Sequence, residues 1–326
     1  MSTKPDRGSR SRSWVTATRW RGTMAMVLVG ALAAVVHSEP TSAGETFSMS
    51  SVAAVGESRW PGSAPGAQAH ERVLLGADGE PLPFQSNEEV EEFLRTAAVV
   101  EVKDIPQGVT DPRKVLLEKD GVRMHAVFRY VDITKDSVRI GKRLHPFFRD
   151  SYIFECAAYE LSKMLGLDIV PPAVLRKVKN KKGSLQAWVE QGMTEMSRVE
   201  KSVQPPDLGR WRHQVYLMRL FDNLVYNLDR NQGNILLDSG WNMWLIDHTR
   251  AFRRYPDLET PSKLREVSRA LWQRLQELDE AEVKERLKPF LRGAEIDGLL
   301  KRRRKLVEHF QALIAERGEA KVLYTI

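Results

Sequence analysis

Two periodicities divide the chain. From residue 98 to residue 190 the apolar positions come in short runs that suit strands: Ala98–Lys103, Val115–Glu118, Arg123–Val131, Val174–Val178 and Gly183–Glu190. Asp120-Gly121 supplies a turn before the third run, and Lys179-Asn-Lys-Lys182 reads as a solvated hairpin tip before the last. Ala126 and Phe128 should face inward. One helix interrupts these strands. Asp150 is its expected cap, Ile153, Ala157, Leu161 and Leu165 recur at helical spacing, and Gly166 stops it. A shorter helix, Asn87 to Ala97, comes first, with Ser86 and Glu89 placed as a capping box. Residues 193–209 read as loop. Beyond them the period is helical: Arg210–Tyr226, Ser262–Leu278, Glu280–Lys288 and Asp297–Arg317. The basic run Lys301–Lys305 on the last helix reads as a solvated face. The expected class is α+β in two lobes, with a site between them.

Polar residues break the helical half at one place. Asn227-Leu-Asp-Arg-Asn-Gln-Gly-Asn234 is too polar to continue a helix. Ile235–Leu237 and Met243–Ile246 read as a hairpin turned by Asp238-Ser-Gly-Trp241, and Asp247 ends it. The hairpin brings Asn234 and Asp247 together, with Asp229 on the loop just before. One carboxylate can orient and deprotonate a hydroxyl, while an amide oxygen and a second carboxylate can hold Mg²⁺, which takes oxygen ligands. That set suits phosphoryl transfer. The same residue types also fill ordinary loops; the hairpin and its terminal Asp favour a nucleotide–metal site.

Asp229-Arg-Asn-Gln-Gly-Asn-Ile-Leu-Leu-Asp238, followed by Trp244-Leu-Ile-Asp-His248, resembles the catalytic and metal loops of the protein-kinase-like superfamily. It is closest to the atypical branches: phosphatidylinositol kinases, HipA-like toxin kinases and secretory-pathway kinases. Residues 98–326 are also similar to a family of bacterial exported proteins assigned to that fold. The resemblance implies a small, mostly-β N-lobe with one helix (residues 86–190) and a larger, mostly-α C-lobe (residues 191–326). It implies ATP with Mg²⁺ or Mn²⁺, and a hydroxyl-bearing acceptor on a protein, sugar, lipid headgroup or small molecule. Asp229 and Asn234 take the catalytic places, and Asn234 and Asp247 those of the metal ligands. Gly108 falls in the loop that covers the phosphates. Arg129 stands where the family has a phosphate-binding lysine, with Glu155 as its helix partner and Glu160 as the competing choice. The backbone from Val189 to Gln191 would meet the adenine. Arg230 and Asn231 would shape the loop, and His248 reads as a packing residue in preference to a metal neighbour. The resemblance leaves open a binding module without catalysis, and transfer of AMP in place of phosphate.

Composition changes this picture mainly at the N-terminus. Arg7, Arg10, Arg12, Arg19 and Arg21 precede a 13-residue apolar run, Met24–Val36, and Thr41-Ser-Ala43 offers a cleavage site before Gly44. This is the pattern of a secretory signal over residues 1–43, and the run is short for a membrane span, which needs about 20 apolar residues. Membrane contact is expected only if the leader stays attached. Removing it takes away six basic and two acidic side chains and lowers the formal net charge from +7 to +3. A nucleic-acid partner therefore loses its main support. Residues 44–85 read as a flexible linker, rich in Ser, Gly, Ala and Pro up to residue 80. Cys156 is the one cysteine, so no disulfide forms within the chain, and its alanine neighbours suggest an inert buried thiol. The histidines show no zinc spacing. The expected destination is the bacterial periplasm or the exterior. Mass spectrometry of the natively expressed protein should then find a chain starting near Gly44; a full-length cytosolic species as the main product would sink that expectation.

Overall fold

The computed structural model describes residues 72–105, 111–140 and 142–325. The leader, the linker up to residue 71 and the loop containing Gly108 lie outside the described residues. Residues 72–85, expected to end a flexible linker, instead pack against the sheet. Leu74, Leu82 and Phe84 join the core there, and the Ala77 N–H donates to the Arg123 carbonyl at 2.9 Å. Three large apolar side chains in a proline-containing stretch are enough to dock it.

The first helix, α1 (Asn87–Thr96), is capped by Ser86, whose hydroxyl accepts the Glu89 N–H. The Glu89 carboxylate reaches the Gln85 N–H rather than that of Ser86, so only half of the expected capping box forms. Strands β1 (Ala98–Asp104), β2 (Arg113–Lys119) and β3 (Val122–Arg129) follow as antiparallel neighbours. Then β4 (Asp132–Ile140) and β5 (Arg143–Ser151) form a separate two-stranded hairpin. This hairpin was not expected: Asp150 belongs to its second strand and is not a helix cap. The following helix, α2 (Ile153–Met164), has Tyr152 at its N-cap with no capping side chain. Gly166, at φ +63°, ends it as expected. Strands β6 (Ala173–Val178) and β7 (Lys181–Ala187) complete a five-stranded sheet in the order β1-β2-β3-β7-β6.

Alternation decides what each face of this sheet does. Val115, Leu117, Met124, Ala126, Phe128 and Leu185 pack with α1 in one core. Lys114, Leu116, His125, Val127 and Arg129 therefore face the other way, where Arg129 meets Glu155 of the helix before β6 and His125 and Lys114 meet Glu190. Gly183 marks the tightest approach in the sheet. A Cβ there would lie 2.2 Å from the Arg129 carbonyl oxygen and 2.5 Å from the Phe128 ring.

The second lobe begins with β8 (Met193–Thr194) and α3 (Glu195–Glu200), inside a stretch expected to be loop. The long helix α4 (Leu208–Val225) ends with Tyr226 in the left-handed region, which turns the chain sharply into the polar loop. Strands β9 (Ile235–Leu237) and β10 (Met243–Leu245) form the expected hairpin, and β8 adds a third strand. The long helix expected from Ser262 is shorter: a turn at Pro261–Lys263 and the bridge strand β11 (Val267–Ser268) come first. Helices α5 (Arg269–Glu277), α6 (Glu280–Leu287), α7 (Gly293–Arg317) and α8 (Glu319–Val322) and strand β12 (Leu323–Tyr324) close the chain. One continuous apolar core joins α2 to the helices of this lobe.

The basic run on α7 is not a free solvated face. Arg302 is fully buried and donates to the carbonyls of Leu224, Arg253 and Tyr255. Arg303 caps the last carbonyls of α5, and Arg304 and Lys305 pair with Glu280 and Asp257. The sequence pattern hid this because the partners are backbone oxygens and distant acids. Among the described residues no helix is long and apolar enough to cross a membrane.

The Gly183 contact yields a test. Overpacking of this kind costs about 1–3 kcal/mol, so Gly183→Ala should lower the urea midpoint by an equivalent amount. An unchanged midpoint would show that β3 and β7 can separate freely.

Candidate active site

The polar loop owes its shape to Arg230. Its guanidinium pairs with Asp222 on α4 at 3.0 Å. It donates to the carbonyls of Asn234 and Ile246, at 2.6 and 2.8 Å, which are the two ends of the β9–β10 hairpin. It also lies 3.0 Å from His248 Nε2. Five N–H donors in a rigid fork suit this role, which a single ammonium could not fill. Asn231 finishes the loop: its side-chain oxygen accepts the Gly233 N–H and its amide donates to the Asp229 carbonyl.

The hairpin brings Asn234 beside Ile246, the residue before Asp247. The Ile246 N–H donates to the Asn234 carbonyl at 3.2 Å, closing the hairpin ends. The Asn234 amide nitrogen donates to the Asp229 carbonyl at 3.0 Å, which fixes its side chain and turns its oxygen away from that bond. Asp247 adopts φ +58°, a costly conformation for a residue other than Gly, and one that clusters at functional sites. One of its carboxylate oxygens accepts the Thr249 hydroxyl at 3.2 Å.

Asp229 is half-exposed, and its carboxylate accepts Arg250 at 3.0 Å. Burial raises its pKa, as do the nearby Asp247 and Asp150, while Arg250 works in the opposite direction. The net effect is upward, the direction that makes a carboxylate a better proton acceptor.

Glu155, chosen over Glu160, faces the strand cation. Arg129 Nε lies 3.7 Å from its carboxylate, and Gln186 bridges the two side chains. Glu160 instead binds Arg286 and Lys163. Glu155 is fully buried, yet its pKa falls to about 2: burial would raise it, but Arg129 and the hydrogen bonds from His248 prevail. The His248 backbone N–H donates to Glu155 Oε1 at 2.8 Å, and its ring Nδ1 lies 3.4 Å from Oε2. Arg230 can only donate, so Nε2 of His248 accepts and Nδ1 carries the proton toward Glu155. His248 thus bridges the helix glutamate and the loop arginine; it does more than pack.

Val189 is buried in the link after β7, and Gln191 sits at φ +55°. The Gln191 side chain points toward Gly79 in the docked N-terminal segment. Between them Glu190 hydrogen-bonds His125 and lies 3.8 Å from Lys114. Leu116, Val127 and Val189 are buried apolar residues that belong to neither core. Burial pushes the Cys156 thiol pKa well up, as an inert thiol requires.

Two residues of the site escaped the sequence. Arg250 and Asp150 are joined at 2.7 Å and lie 100 positions apart. The signal for Arg250 was its place three residues after Asp247. Asp150 gave none, because the hairpin that carries it was not foreseen.

The donor set fits a divalent metal shared with phosphate. Among the described residues no three His, Cys, Asp or Glu side chains form a protein cage. One carboxylate and one amide oxygen are the few protein ligands that Mg²⁺ takes when phosphates and water supply the rest.

No family model matches the sequence, and none of the curated proteins matches it. Solved structures do. A hydra Fam20 solved with sugar superposes with a TM-score of 0.56 at 14% identity, over 73% of this chain and 92% of that one. The Golgi casein kinase gives 0.54 at 16% identity, covering 73% and 78%. Its structure with Mn/ADP bound gives 0.55 at 15%, covering 74% and 80%. The chain has an atypical protein-kinase-like fold, with a sheet-rich lobe and a helical lobe.

The Glu155 network sets a pH dependence. A carboxylate held at about 2, below its ordinary 4.5, contributes stability that is complete above pH 4.5 and is lost as pH falls toward 2. Glu155→Gln should melt lower than wild type at neutral pH, with the gap narrowing below pH 4.5. A gap independent of pH would contradict the ion pair.

Proposed function

We propose that the protein is an ATP- and metal-dependent phosphotransferase acting on a hydroxyl acceptor. The observation that carries this reading is the convergence of Asp229, Asn234 and Asp247 around a hairpin whose two ends Arg230 locks together. Asp229 would orient the acceptor hydroxyl and take its proton. Asn234 and Asp247 would hold Mg²⁺ or Mn²⁺, which when bound neutralises charge on the phosphates. Arg129, positioned by Glu155, would face the phosphates. The apolar layer of Leu116, Val127 and Val189, with the backbone to Gln191, would receive the adenine. The neighbour with Mn/ADP bound supports nucleotide and metal use on this fold.

One observation favours a second reading, nucleotide binding without transfer. The Arg129 side chain is only 8% exposed and is directed at Glu155 and Gln186. The leader pattern supports action after export, in the periplasm or outside the cell.

Two measurements separate these readings. Incubation with γ-labelled and α-labelled ATP, with Mg²⁺ or Mn²⁺, should transfer the γ label alone; transfer of the α label would mean AMP transfer, and binding without transfer would mean a module. General-base catalysis contributes about 10²- to 10⁴-fold, so Asp229→Asn should lose turnover in that range while nucleotide affinity changes little. Unchanged turnover in a folded Asp229→Asn protein would remove Asp229 from the mechanism.

A further inference from the structure

Arg250 has no part in the reading given so far, yet its guanidinium lies at the point where transfer would occur. Its Nε donates to Asp150 at 2.7 Å and its Nη1 to Asp229 Oδ2 at 3.0 Å. These take two of its five N–H donors. Asp150 is buried at the base of the β4–β5 hairpin, and its second oxygen is buried without a hydrogen-bond partner among the described residues. The hairpin base is itself held. The Ser151 N–H donates to the Thr249 carbonyl at 2.8 Å, and Arg149 pairs with Glu295 on α7 at 3.0 Å. Asp150 is thus a fixed anchor, and Arg250 is a cation suspended between it and Asp229.

Geometry and charge both limit what this cation can do. A base must touch the acceptor oxygen, and that oxygen must attack the phosphorus. The terminal phosphoryl group therefore lies within two contacts of the Asp229 carboxylate, inside the reach of a guanidinium already touching that carboxylate. Three carboxylates, Asp150, Asp229 and Asp247, surround the same spot, and each interacts with Arg250. An anionic phosphoryl group entering there needs a cation. Arg129 is the poorer candidate, since it is buried against Glu155; the Arg250 side chain is 27% exposed.

We propose that Arg250 contacts the terminal phosphoryl group of the bound nucleotide, and that Asp150 is the positioning residue that aims it. This rests on the phosphotransferase reading above. It gives the β4–β5 hairpin a purpose: the hairpin carries the anchor that holds the cation over the transfer point.

The test compares a nucleotide with a third phosphate to one without. Calorimetry on the full chain would measure Mg-AMP-PNP and Mg-ADP affinity for wild type, Arg250→Ala, Arg250→Lys and Asp150→Asn. Wild type should prefer AMP-PNP. A lost charge-assisted contact costs about ten- to a hundredfold in affinity, so Arg250→Ala should lose that preference by such a factor with ADP affinity unchanged. Arg250→Lys should keep part of it, and carries the test if Arg250→Ala does not fold. Asp150→Asn should lose a smaller part, and added guanidinium should restore the preference in Arg250→Ala but not in Asp150→Asn. If wild type binds both nucleotides and Arg250→Ala keeps the preference, or binds both more tightly, the Arg250 assignment is overturned while the broader reading stands. Equal wild-type affinity for the two nucleotides also overturns it. A wild type that binds neither nucleotide overturns the phosphotransferase reading, and the Arg250 assignment falls with it.

Discussion

A single buried carboxylate holds the two halves of this site together. Glu155 has no solvent contact and sits between Arg129 on the sheet and His248 on the segment after Asp247. An isolated charge in that place would be very costly. The cost is offset by the opposing guanidinium and by two donors from His248. His248 then passes the constraint to Arg230, and Arg230 passes it to Asp222 on α4 and to both ends of the hairpin. The line Arg129–Glu155–His248–Arg230–Asp222 runs from the sheet to the long helix. Asn234 and Asp247 sit at the hairpin ends it fixes. Buried networks of this kind specify one arrangement when every member is satisfied.

The parts of the site that were legible in the sequence are those in which residue type and local spacing carry the chemistry. Asp229, Asn234 and Asp247 fall within nineteen residues, so a loop and a hairpin of two three-residue strands are enough to bring that stretch of chain back on itself. The Arg129–Glu155 contact spans 26 positions, and it was reached through strand and helix periodicity together with a family resemblance. The sheet strands and most helices followed from alternation and from the 3.6-residue period, with ends displaced by a few residues.

What was missed depends on partners far apart in the chain. His248 looked like packing because its partners, Glu155 and Arg230, lie 93 and 18 positions away. The β4–β5 hairpin is mostly solvent-exposed along its first strand, so it lacks the half-buried alternation that marks a strand. Asp150 then resembled a helix cap, because Asp before an apolar periodic run is the usual cap signal. The arginines of α7 resembled a solvated face because backbone carbonyls, which satisfy Arg302 and Arg303, leave no trace in sequence.

Glu155 and Arg230 do not touch; His248 joins them, and through it they would act together on the proposed metal–nucleotide site. A double-mutant cycle tests this, with Mg-nucleotide affinity measured for wild type, Glu155→Gln, Arg230→Lys and the double variant. Independent sites add within about 0.3–0.5 kcal/mol. The account predicts a clear departure from additivity, with the double variant little worse than the worse single one. Losses that simply add would contradict it.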